Sequence, residues 1–512
     1  MSLFKSWRRK RKKEDTTGSL KELSHLQEAE RVLYFFREIS CIPRASYDEK
    51  RISNYLVAFA RARDLEVYQD KHYNVVIKKP ATIANCTCPP VIIQGHMDMV
   101  YVQSPSCRRN YEEGIAVMEK DGWLCADGTT LGADNGIAVA YGLALLDSTG
   151  IPHPDLELVF TVQEEVGMFG AEKLDCAKLK GRYFINLDTE NEGVFFTSCA
   201  GAVRTELDIP VKRKKIKTKG MKKLTLTLGG LSGGHSGMEI HQLRGNAIVL
   251  MTRLLKEADA KGVYLRSMEC DGKMNAIASS AKAVLYVEKK KLNKLIYTLE
   301  STVEDFKREL GENDNVELTV KTKKCKKKSV LCYTKKSRKR VLNAISLLPN
   351  GVLNMTGNED CLVETSANIG VMTQKDDKLV VCSAIRSSVG TRKRDVAERY
   401  KTVAKLCGGK CRLSGDYPQW EYRENSPLRQ LAMETYRETF GKEPKSMGIH
   451  AGLECGYFDK KLADVDIVSF GPDQEGVHTP NEKANIQSVE RVWQLLQRML
   501  EKLGTNQQQE EL

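Results

Sequence analysis

The apolar and polar positions of the first 205 residues follow a regular alternation. Short apolar runs typical of buried strands alternate with stretches in which apolar residues recur at helical spacing. A helix is predicted over residues 137–146, and strands are predicted over residues 74–77, 90–93, 156–162 and 183–187. This alternation predicts an α/β domain with a mostly parallel sheet and helices on both faces.

The pattern changes near residue 206 and returns near residue 417. Residues 222–228 alternate apolar and polar side chains, as a strand with one exposed face does. Helical spacing follows over residues 247–260 and 292–310, and alternating strands continue to about residue 412. We therefore predict an inserted α+β domain with an antiparallel sheet. The predicted boundaries are a basic disordered tail at 1–18, a discontinuous α/β domain at 19–205 and 417–512, and the insertion at 206–416.

Composition limits where the protein acts and what it binds. The chain of 512 residues has a formal net charge of +13, much of it in four short basic runs at 5–13, 212–223, 321–328 and 335–340. These runs lack interleaved aromatic residues, which favours solvated loops and hairpin edges over a specific nucleic-acid site. Membrane spans need about 18 apolar residues, and the sequence has no such stretch. The N-terminus lacks the apolar core of a secretory signal, and the 15 scattered cysteines are typical of reduced thiols, so we predict a cytoplasmic protein.

Polar side chains stand where the predicted strands end. Because ligand crevices of open α/β sheets lie beyond the carboxyl ends of the strands, these side chains are expected to meet at one edge. A further acid lies at the head of the helix at 137–146, and a histidine follows the predicted strand at 463–470. The side chains so identified are His96 with Asp98, Asp134, Glu164 with Glu165, Asp188, and His478.

Each of these residues alone has an ordinary structural explanation, such as a surface histidine, a helix cap or an acidic turn. Together they supply the nitrogen and oxygen donors that two zinc ions require. Asp98 is placed to hydrogen-bond the ring of His96, because side chains two residues apart at a strand end leave the same face. Adjacent residues on an extended backbone point to opposite sides, so Glu164 and Glu165 are expected to serve different tasks, one as a ligand and one as a base.

The order of motifs resembles the aminoacyl-histidine dipeptidases (Xaa-His or cytosol non-specific dipeptidases). These are a branch of the dizinc exopeptidases, a group to which carnosinases and aminoacylases also belong. The matching segments include QGHMDMV at 94–100, TLGADNG at 130–136, GGHSG at 233–237 and HAGLECG at 450–456. Further matches lie at 161–170, 185–192, 246–247, 273–277, 386–388 and 469–482. They span almost the whole chain in order, apart from the basic N-terminal tail.

By position, the resemblance implies two divalent ions, Zn²⁺ in the first place with Mn²⁺ or Co²⁺ as alternatives, held by His96, Asp134, Glu165, Asp188 and His478. Asp134 would bridge the ions, with His96 and Asp188 completing one site and Glu165 and His478 the other. Glu164 would be the general base, and Asp98 would orient His96. The resemblance also implies a cis peptide bond between Asp134 and Asn135.

The same resemblance makes the insertion a lid that contributes to substrate binding. His235 would stabilise the tetrahedral oxyanion, while Asn275 and Arg386 would hold the substrate's backbone and terminal carboxylate. The expected partners are small peptides and a second copy of the chain in a homodimer. Two departures from the family pattern, at Ala278 and Gly390, lie in the insertion and bear on substrate preference.

Other functions stay open at this stage. A related dizinc tripeptidase, carboxypeptidase or deacylase would carry the same metal ligands. A non-catalytic metal-binding protein that uses its positive charge on RNA or a membrane is a further alternative. Glu164 argues against a pure binding protein, because such a protein has no need of a base beside its metals.

Overall fold

The structure, a computed structural model, describes residues 28–356 and 362–506 of the chain. The tail predicted at 1–18 lies outside the described residues. The contacts among described residues form two compact units. The first comprises residues 28–197, 423–447 and 453–506, and the second comprises residues 198–422 and 448–452, with residues 357–361 left undescribed.

The first part of the chain alternates helices and strands. In order they are α1 (Glu28–Ser40), α2 (Lys50–Arg61), β1 (Glu66–Gln69), β2 (Val75–Lys79), β3 (Val91–His96), β4 (Val117–Lys120), β5 (Trp123–Ala126), α3 (Ala133–Asp147), β6 (Leu156–Thr161), α4 (Phe169–Lys173), β7 (Tyr183–Asn186) and β8 (Val194–Cys199). The side chains of α3 are buried on almost every side, which explains why its sequence has no polar face.

The second unit is built mainly from longer strands. Its elements are β9 (Gly201–Pro210), β10 (Arg213–Lys217), β11 (Met221–Gly229), α5 (Ala247–Glu257), β12 (Val263–Glu269), β13 (Ala281–Glu288), α6 (Leu292–Leu310), β14 (Glu317–Lys324), β15 (Ser329–Tyr333), α7 (Lys335–Leu347), β16 (Gly351–Met355), β17 (Val363–Gln374), β18 (Lys378–Ser387), α8 (Gly390–Leu406) and β19 (Lys410–Tyr417).

The chain then returns to the first unit. The remaining elements are α9 (Pro427–Phe440), β20 (Lys445–Ile449), α10 (Cys455–Lys461), β21 (Asp466–Ser469), β22 (Gln474–Glu475), β23 (Lys483–Asn485) and α11 (Ile486–Asn506). Within residues 28–356 and 362–506, none of the helices is both long enough and apolar enough to cross a bilayer.

The main sheet of the first unit has eight strands in the order β1-β2-β6-β3-β7-β21-β8-β20. The central strands β6, β3, β7 and β21 are parallel to one another. Antiparallel pairs lie outside them, at β1 with β2, β2 with β6 and β21 with β8. The predicted α/β fold class is confirmed, with antiparallel strands added at the edges.

Helices cover both faces of this sheet. Gly95 on β3 lies against α3, since a Cβ placed on Gly95 would come within 2.4 Å of the Ala138 Cβ. The neighbouring Gln94 points the other way and donates to the carboxylate of Glu454, at the start of α10, over 2.5 Å. Because adjacent residues of a strand face opposite sides, α3 and α10 lie on opposite faces.

The second unit contains two antiparallel sheets and a ribbon. Their orders are β12-β13-β11-β14, β16-β17-β18-β9-β19 and β10-β15. Helices α5 to α8 contribute buried apolar residues to the same core as both sheets. We propose that this unit is the inserted domain, with β9 and β19 extending it beyond the predicted limits of 206 and 416.

Candidate metal centre

Five predicted ligands gather from separate segments of the first unit. His96 is the last residue of β3, and Asp188 lies two residues beyond β7. Glu165 stands in the turn after β6, and Asp134 is the second residue of α3. His478 follows β22, in a left-handed backbone conformation with φ of 64°. Parallel strands end at the same edge of a sheet, which is why residues far apart in sequence meet here.

Asp134 lies between the two histidines. Its Oδ1 is 3.1 Å from His96 Nε2, and its Oδ2 is 3.2 Å from His478 Nε2. Asp188 Oδ1 lies 3.6 Å from His96 Nε2, and a Glu165 carboxylate oxygen lies 2.9 Å from His478 Nε2. The two oxygens of one carboxylate therefore face two different pairs, each made of a histidine and an acid.

This donor set fits a pair of divalent ions. Candidate ligand atoms of His96, Asp134 and Glu165 all lie within 4.8 Å of one another. Imidazole nitrogens and carboxylate oxygens are the ligands that zinc takes in catalytic sites. The peptide bond between Asp134 and Asn135 is cis, as the resemblance implied, and Asn135 Nδ2 donates to Asp188 Oδ1 over 2.7 Å.

The electrostatics reflect a concentration of negative charge. Burial opposes a charge on His96, but hydrogen bonds to Asp134 and Asp188 outweigh it and raise its pKa well above the usual value. Hydrogen bonds to Asp134 and Glu165 raise the pKa of His478 to about 11. Burial, with the nearby charges of Asp134 and Asp188, raises the pKa of Glu190 to about 7. The carboxylates around the two histidine rings thus make this point favourable for positive charge.

Glu164 is adjacent to the predicted ligand Glu165 but lies in a different environment. Burial, with repulsion from Asp188 and Glu165, raises the pKa of Glu164 well above its usual range. The expectation of an extended backbone here is wrong, because the amides of Gly167 and Met168 both donate to the Glu164 carbonyl and close a turn. The turn, not strand alternation, therefore sets the directions of the two side chains.

Asp98 contacts both sides of the centre. Its carboxylate is 3.4 Å from His96 Nδ1, while its own backbone carbonyl is closer to that nitrogen, at 3.1 Å. The same carboxylate accepts the backbone N–H of Glu164 and of Glu165, at 3.1 and 3.4 Å. Ser46 Oγ donates to it over 2.8 Å. Asp98 thus connects the His96 strand end to the Glu164–Glu165 turn.

The predicted substrate-binding residues lie in the second unit. His235 Nδ1 accepts the backbone N–H of Met238 over 3.0 Å, so the neutral ring carries its proton on Nε2. Burial and the charge of Arg386 lower the pKa of His235. Asn275 is exposed, and its carbonyl accepts the N–H of Ser236, beside the bridge between His235 and Ala276.

Arg386 occupies β18 and is almost buried. Its Nη1 donates to the hydroxyl of Tyr417 over 3.0 Å. Gly237 brings it near the histidine, since a Cβ on that glycine would lie 3.2 Å from Arg386 Cζ and 3.1 Å from His235 Cε1. Within the second unit, Arg386 and His235 therefore face a common point.

Comparison with known proteins identifies the family. The sequence profile of Peptidase family M20/M25/M40 matches residues 92–502. The chain belongs to this family. It is 36% identical over 472 residues to the cytosol non-specific dipeptidase of Escherichia coli (strain K12), with 91% of this chain and 96% of that protein covered. The resemblance inferred from the motifs is confirmed, and so is the predicted class of enzyme, a peptidase.

Solved structures agree with this assignment. The crystal structure of aminoacylhistidine dipeptidase from Vibrio alginolyticus is 33% identical and superposes with a TM-score of 0.86, over 94% of this chain and 99% of that one. Aminopeptidase PepT from Bacillus cereus, at 18% identity and a TM-score of 0.57, shares the fold, over 93% of this chain and 98% of that one.

Sequence reasoning missed the residues of this peptidase that hold the Asp134 loop. The Glu482 carboxylate accepts four successive backbone N–H groups, from Leu131 to Asp134, at 2.8 to 3.4 Å. Arg44, only 1% exposed, donates from Nη2 to the Gly132 carbonyl over 2.5 Å. Its Nη1 donates to the carbonyls of the His96 strand end. Glu482 closes a matching motif in the sequence, but nothing there links it to residues 350 positions earlier.

A buried polar row also crosses the sheet near the centre. The Glu454 carboxylate accepts from Gln94 and Thr161 at 2.5 and 2.6 Å. Asn186 donates to Gln94 Oε1 over 2.7 Å and accepts from Ser469 over 2.6 Å. Burial raises the pKa of Glu454 to about 7. The row joins the four parallel strands, and on β3 and β7 it lies two residues before the predicted ligands His96 and Asp188.

Proposed function

We propose that this member of the M20 peptidases is a cytoplasmic metallo-dipeptidase that hydrolyses dipeptides, Xaa-His dipeptides among them, with two zinc ions. The observation that carries the proposal is the carboxylate of Asp134, whose two oxygens face separate histidine–acid pairs. The Escherichia coli and Vibrio alginolyticus relatives, both named as dipeptidases, support the substrate class.

In this proposal, His96, Asp188 and Asp134 would hold one ion, and His478, Glu165 and Asp134 would hold the other. Bound in such a pair, divalent ions lower the pKa of water and polarise the scissile carbonyl. The donors around each position are mixed nitrogen and oxygen ligands, which supports zinc over magnesium or calcium.

Glu164 supplies the proton transfer. Its carboxylate takes a proton from the attacking water as the oxygen bonds to the carbonyl carbon. When the C–N bond breaks, Glu164 returns this proton to the leaving amine nitrogen. Its raised pKa suits both halves of the task, because a shuttle must take up and release a proton near the working pH.

We assign the remaining predicted residues to substrate binding. The Nε2–H of a neutral His235 is suited to donate to the oxyanion, because Nδ1 is already used by a backbone N–H. Arg386 would take the terminal carboxylate in a bidentate pair, and Asn275 the substrate backbone. Asp98 acts through the residues it contacts, His96 and the Glu164–Glu165 turn.

The setting of the protein is part of the proposal. Free thiols such as those of Cys88, Cys270 and Cys332 support a cytoplasmic location. We expect a homodimer from the family resemblance, and no specific nucleic-acid partner.

The test is a substrate panel run with metal analysis. The purified protein is assayed on β-Ala-His, Gly-His, matched tripeptides and N-acetyl amino acids, and zinc is counted per chain. We expect two ions per chain and kcat/KM highest for dipeptides. Preferred cleavage of tripeptides or acetylated amino acids would assign the enzyme to a different activity of the same metal centre. A protein holding two ions with no activity on any of the four would contradict the proposal.

A further inference from the structure

Arg386 carries a positive charge into a nearly buried position, where the described part of the chain offers it no carboxylate partner. It is 9% exposed, and no ion pair to it occurs among the residues that the structure describes. Its Nε is buried and makes no hydrogen bond there. A buried guanidinium without a counter-ion is costly, so an arginine held this way is prepared for an anion.

The side chains beside Arg386 form a row across the five-stranded sheet. Ser366 on β17 stands directly opposite Arg386 on β18. On the other side Arg386 stands opposite Ala202 on β9, and Ala202 stands opposite Tyr417 on β19. Directly opposed residues share a face of the sheet. The small side chain of Ala202 leaves room for the guanidinium to reach the Tyr417 hydroxyl.

His450 closes the row at the Ser366 end. Its Nε2 lies 2.7 Å from Ser366 Oγ. Gly237 packs between this histidine and the arginine, since a Cβ there would lie 2.7 Å from the His450 carbonyl oxygen and 3.2 Å from Arg386 Cζ. Burial, with the charge of Arg386, lowers the pKa of His450 to about 3, and His235 adds to the effect. The ring is therefore neutral at any working pH.

We propose that His450 and Ser366 are positioning residues that hold Arg386 for the α-carboxylate of the substrate's C-terminal residue. The inference rests on the proposed function and deepens it. Ser366 stands opposite Arg386 in the sheet and contacts His450, and neither of these neutral side chains can form an ion pair with the guanidinium. A carboxylate at either position would neutralise Arg386 and compete with the substrate. The neutral pair thereby makes the enzyme selective for peptides with a free C-terminus.

The readout is the ratio of kcat/KM for Gly-His to kcat/KM for Gly-His amide, which lacks the carboxylate. His450→Phe keeps an aromatic ring and removes the bond to Ser366. We expect it to lower this ratio by about tenfold, through a higher KM for the acid, because the arginine–carboxylate contact loosens. Turnover of the amide should stay within about twofold of wild type, since that substrate lacks the contact.

Three further variants test whether His450 and Ser366 affect substrate binding by way of Arg386. In Arg386→Met the acid preference should collapse, and adding His450→Phe should lower it no further, as expected for residues acting on one contact. Ser366→Ala should reproduce the His450→Phe effect in part. His450→Gln should keep most of the wild-type preference for the acid over the amide, because the glutamine side chain can still hydrogen-bond Ser366. The matched control is His241→Phe, an exposed histidine of the same unit, which should leave the ratio unchanged.

Parallel losses on acid and amide in both His450→Phe and Ser366→Ala would overturn the inference, and so would an unchanged ratio. If His450→Phe does not fold, Ser366→Ala and His450→Gln decide the question alone. Failure of the proposed function looks different, because the wild-type enzyme would then cleave neither Gly-His nor its amide.

Discussion

Glu164 shows how one residue acquires its chemistry from its neighbours. An exposed glutamate is deprotonated at neutral pH and returns a proton poorly. Here burial comes first in raising its pKa, and the charges of Asp188, Glu165 and Glu454 act in the same direction. The adjacent Glu165, hydrogen-bonded to His478, is more weakly shifted upwards in pKa. Two identical side chains in sequence thus have different environments, which supports the proposed roles of Glu164 as proton carrier and Glu165 as ligand.

Replacing Glu164 by glutamine tests this division. The amide keeps the shape of the side chain but cannot take a proton, so kcat should fall by about 10²- to 10⁴-fold. Two metal ions per chain should remain, as measured by elemental analysis of the purified variant. Glu172→Gln, an exposed glutamate eight residues away, is the control and should match wild type. Near-normal turnover in a fully loaded Glu164→Gln enzyme would contradict the role.

Glu482 offers a second test at the level of one side chain. Its two oxygens accept four backbone N–H groups, and a glutamine would place an NH₂ against donors. We expect Glu482→Gln to lower the free energy of unfolding by about 2–4 kcal/mol and to weaken metal binding by about 10- to 100-fold. Thermal unfolding and zinc titration measure the two effects. Glu490→Gln, an exposed position nearby, should show neither, and wild-type zinc affinity in Glu482→Gln would count against the idea.

At the scale of elements, the basic runs acquire a structural explanation. The runs at 212–223 and 321–328 are far apart in sequence, yet β11 pairs with β14 so that Lys223 stands opposite Lys323. Strand β14 lies at the edge of its sheet, and its lysines at 321, 323 and 324 are exposed. Lysines on an edge strand keep its free backbone groups from pairing with another chain.

Neutralising this edge should therefore promote association. The double variant Lys321→Val and Lys323→Val is expected to aggregate more readily, by light scattering at equal concentration, because an apolar edge strand recruits further strands. Activity per soluble molecule should be unchanged. The control replaces two exposed helix lysines, Lys339 and Lys405, by valine, with the same change in charge and no strand edge. If both variants aggregated equally, loss of charge would explain the aggregation, and the strand edge would have no separate effect.

Elements were the part of the fold that the sequence predicted best. Helix α6 spans the predicted residues 292–310, and β6 and β7 fall within one residue of their predicted ends, because local periodicity encodes which face is buried. At Glu164 and Glu165 an acidic turn was the ordinary alternative, but the argument for their separate tasks assumed an extended backbone. The apolar run before the turn gives no sign of the change, and the chain leaves the strand conformation at Gln163, where φ is 53°.

Contacts between residues far apart in the chain could not be predicted from the pattern of single segments. The ligand set was predicted from the resemblance to a known family, which the order of the motifs carries. The spacing of the residues alone left each ligand with an ordinary structural explanation, such as a helix cap. The row from Ser366 through Arg386 to Tyr417 depends on the registers of four strands, which local pattern does not encode. The bonds from Glu482 to the Asp134 loop are likewise non-local.

Metal removal tests the molecule as a whole. Acids crowded around Asp134 repel one another unless cations are present, so ions that bind only the folded state stabilise it by mass action. At a free zinc concentration about 1,000 times the Kd, the gain is about 4 kcal/mol per ion. The unfolding entropy of a chain of this length is about 1 kcal/mol/K, so loss of each ion should lower Tm by about 4 °C. Calorimetry with and without chelator measures this. Adding zinc back should restore Tm in the wild type but not in Asp134→Asn, and a chelator-insensitive Tm would argue against the metal centre.

The hydrogen bonds between Glu482 and the Asp134 loop also limit when the site can form during synthesis of the chain. A ribosome releases the chain from the N-terminus, and the first α/β segments can begin to pack while the rest is still being synthesised. The loop that carries Asp134 must nevertheless wait about 350 residues for the carboxylate that secures its amides. His478, a predicted ligand, arrives only four residues before Glu482. A nascent chain that stops short of this point would hold most of the fold and none of the finished site, which delays any activity until synthesis is almost complete.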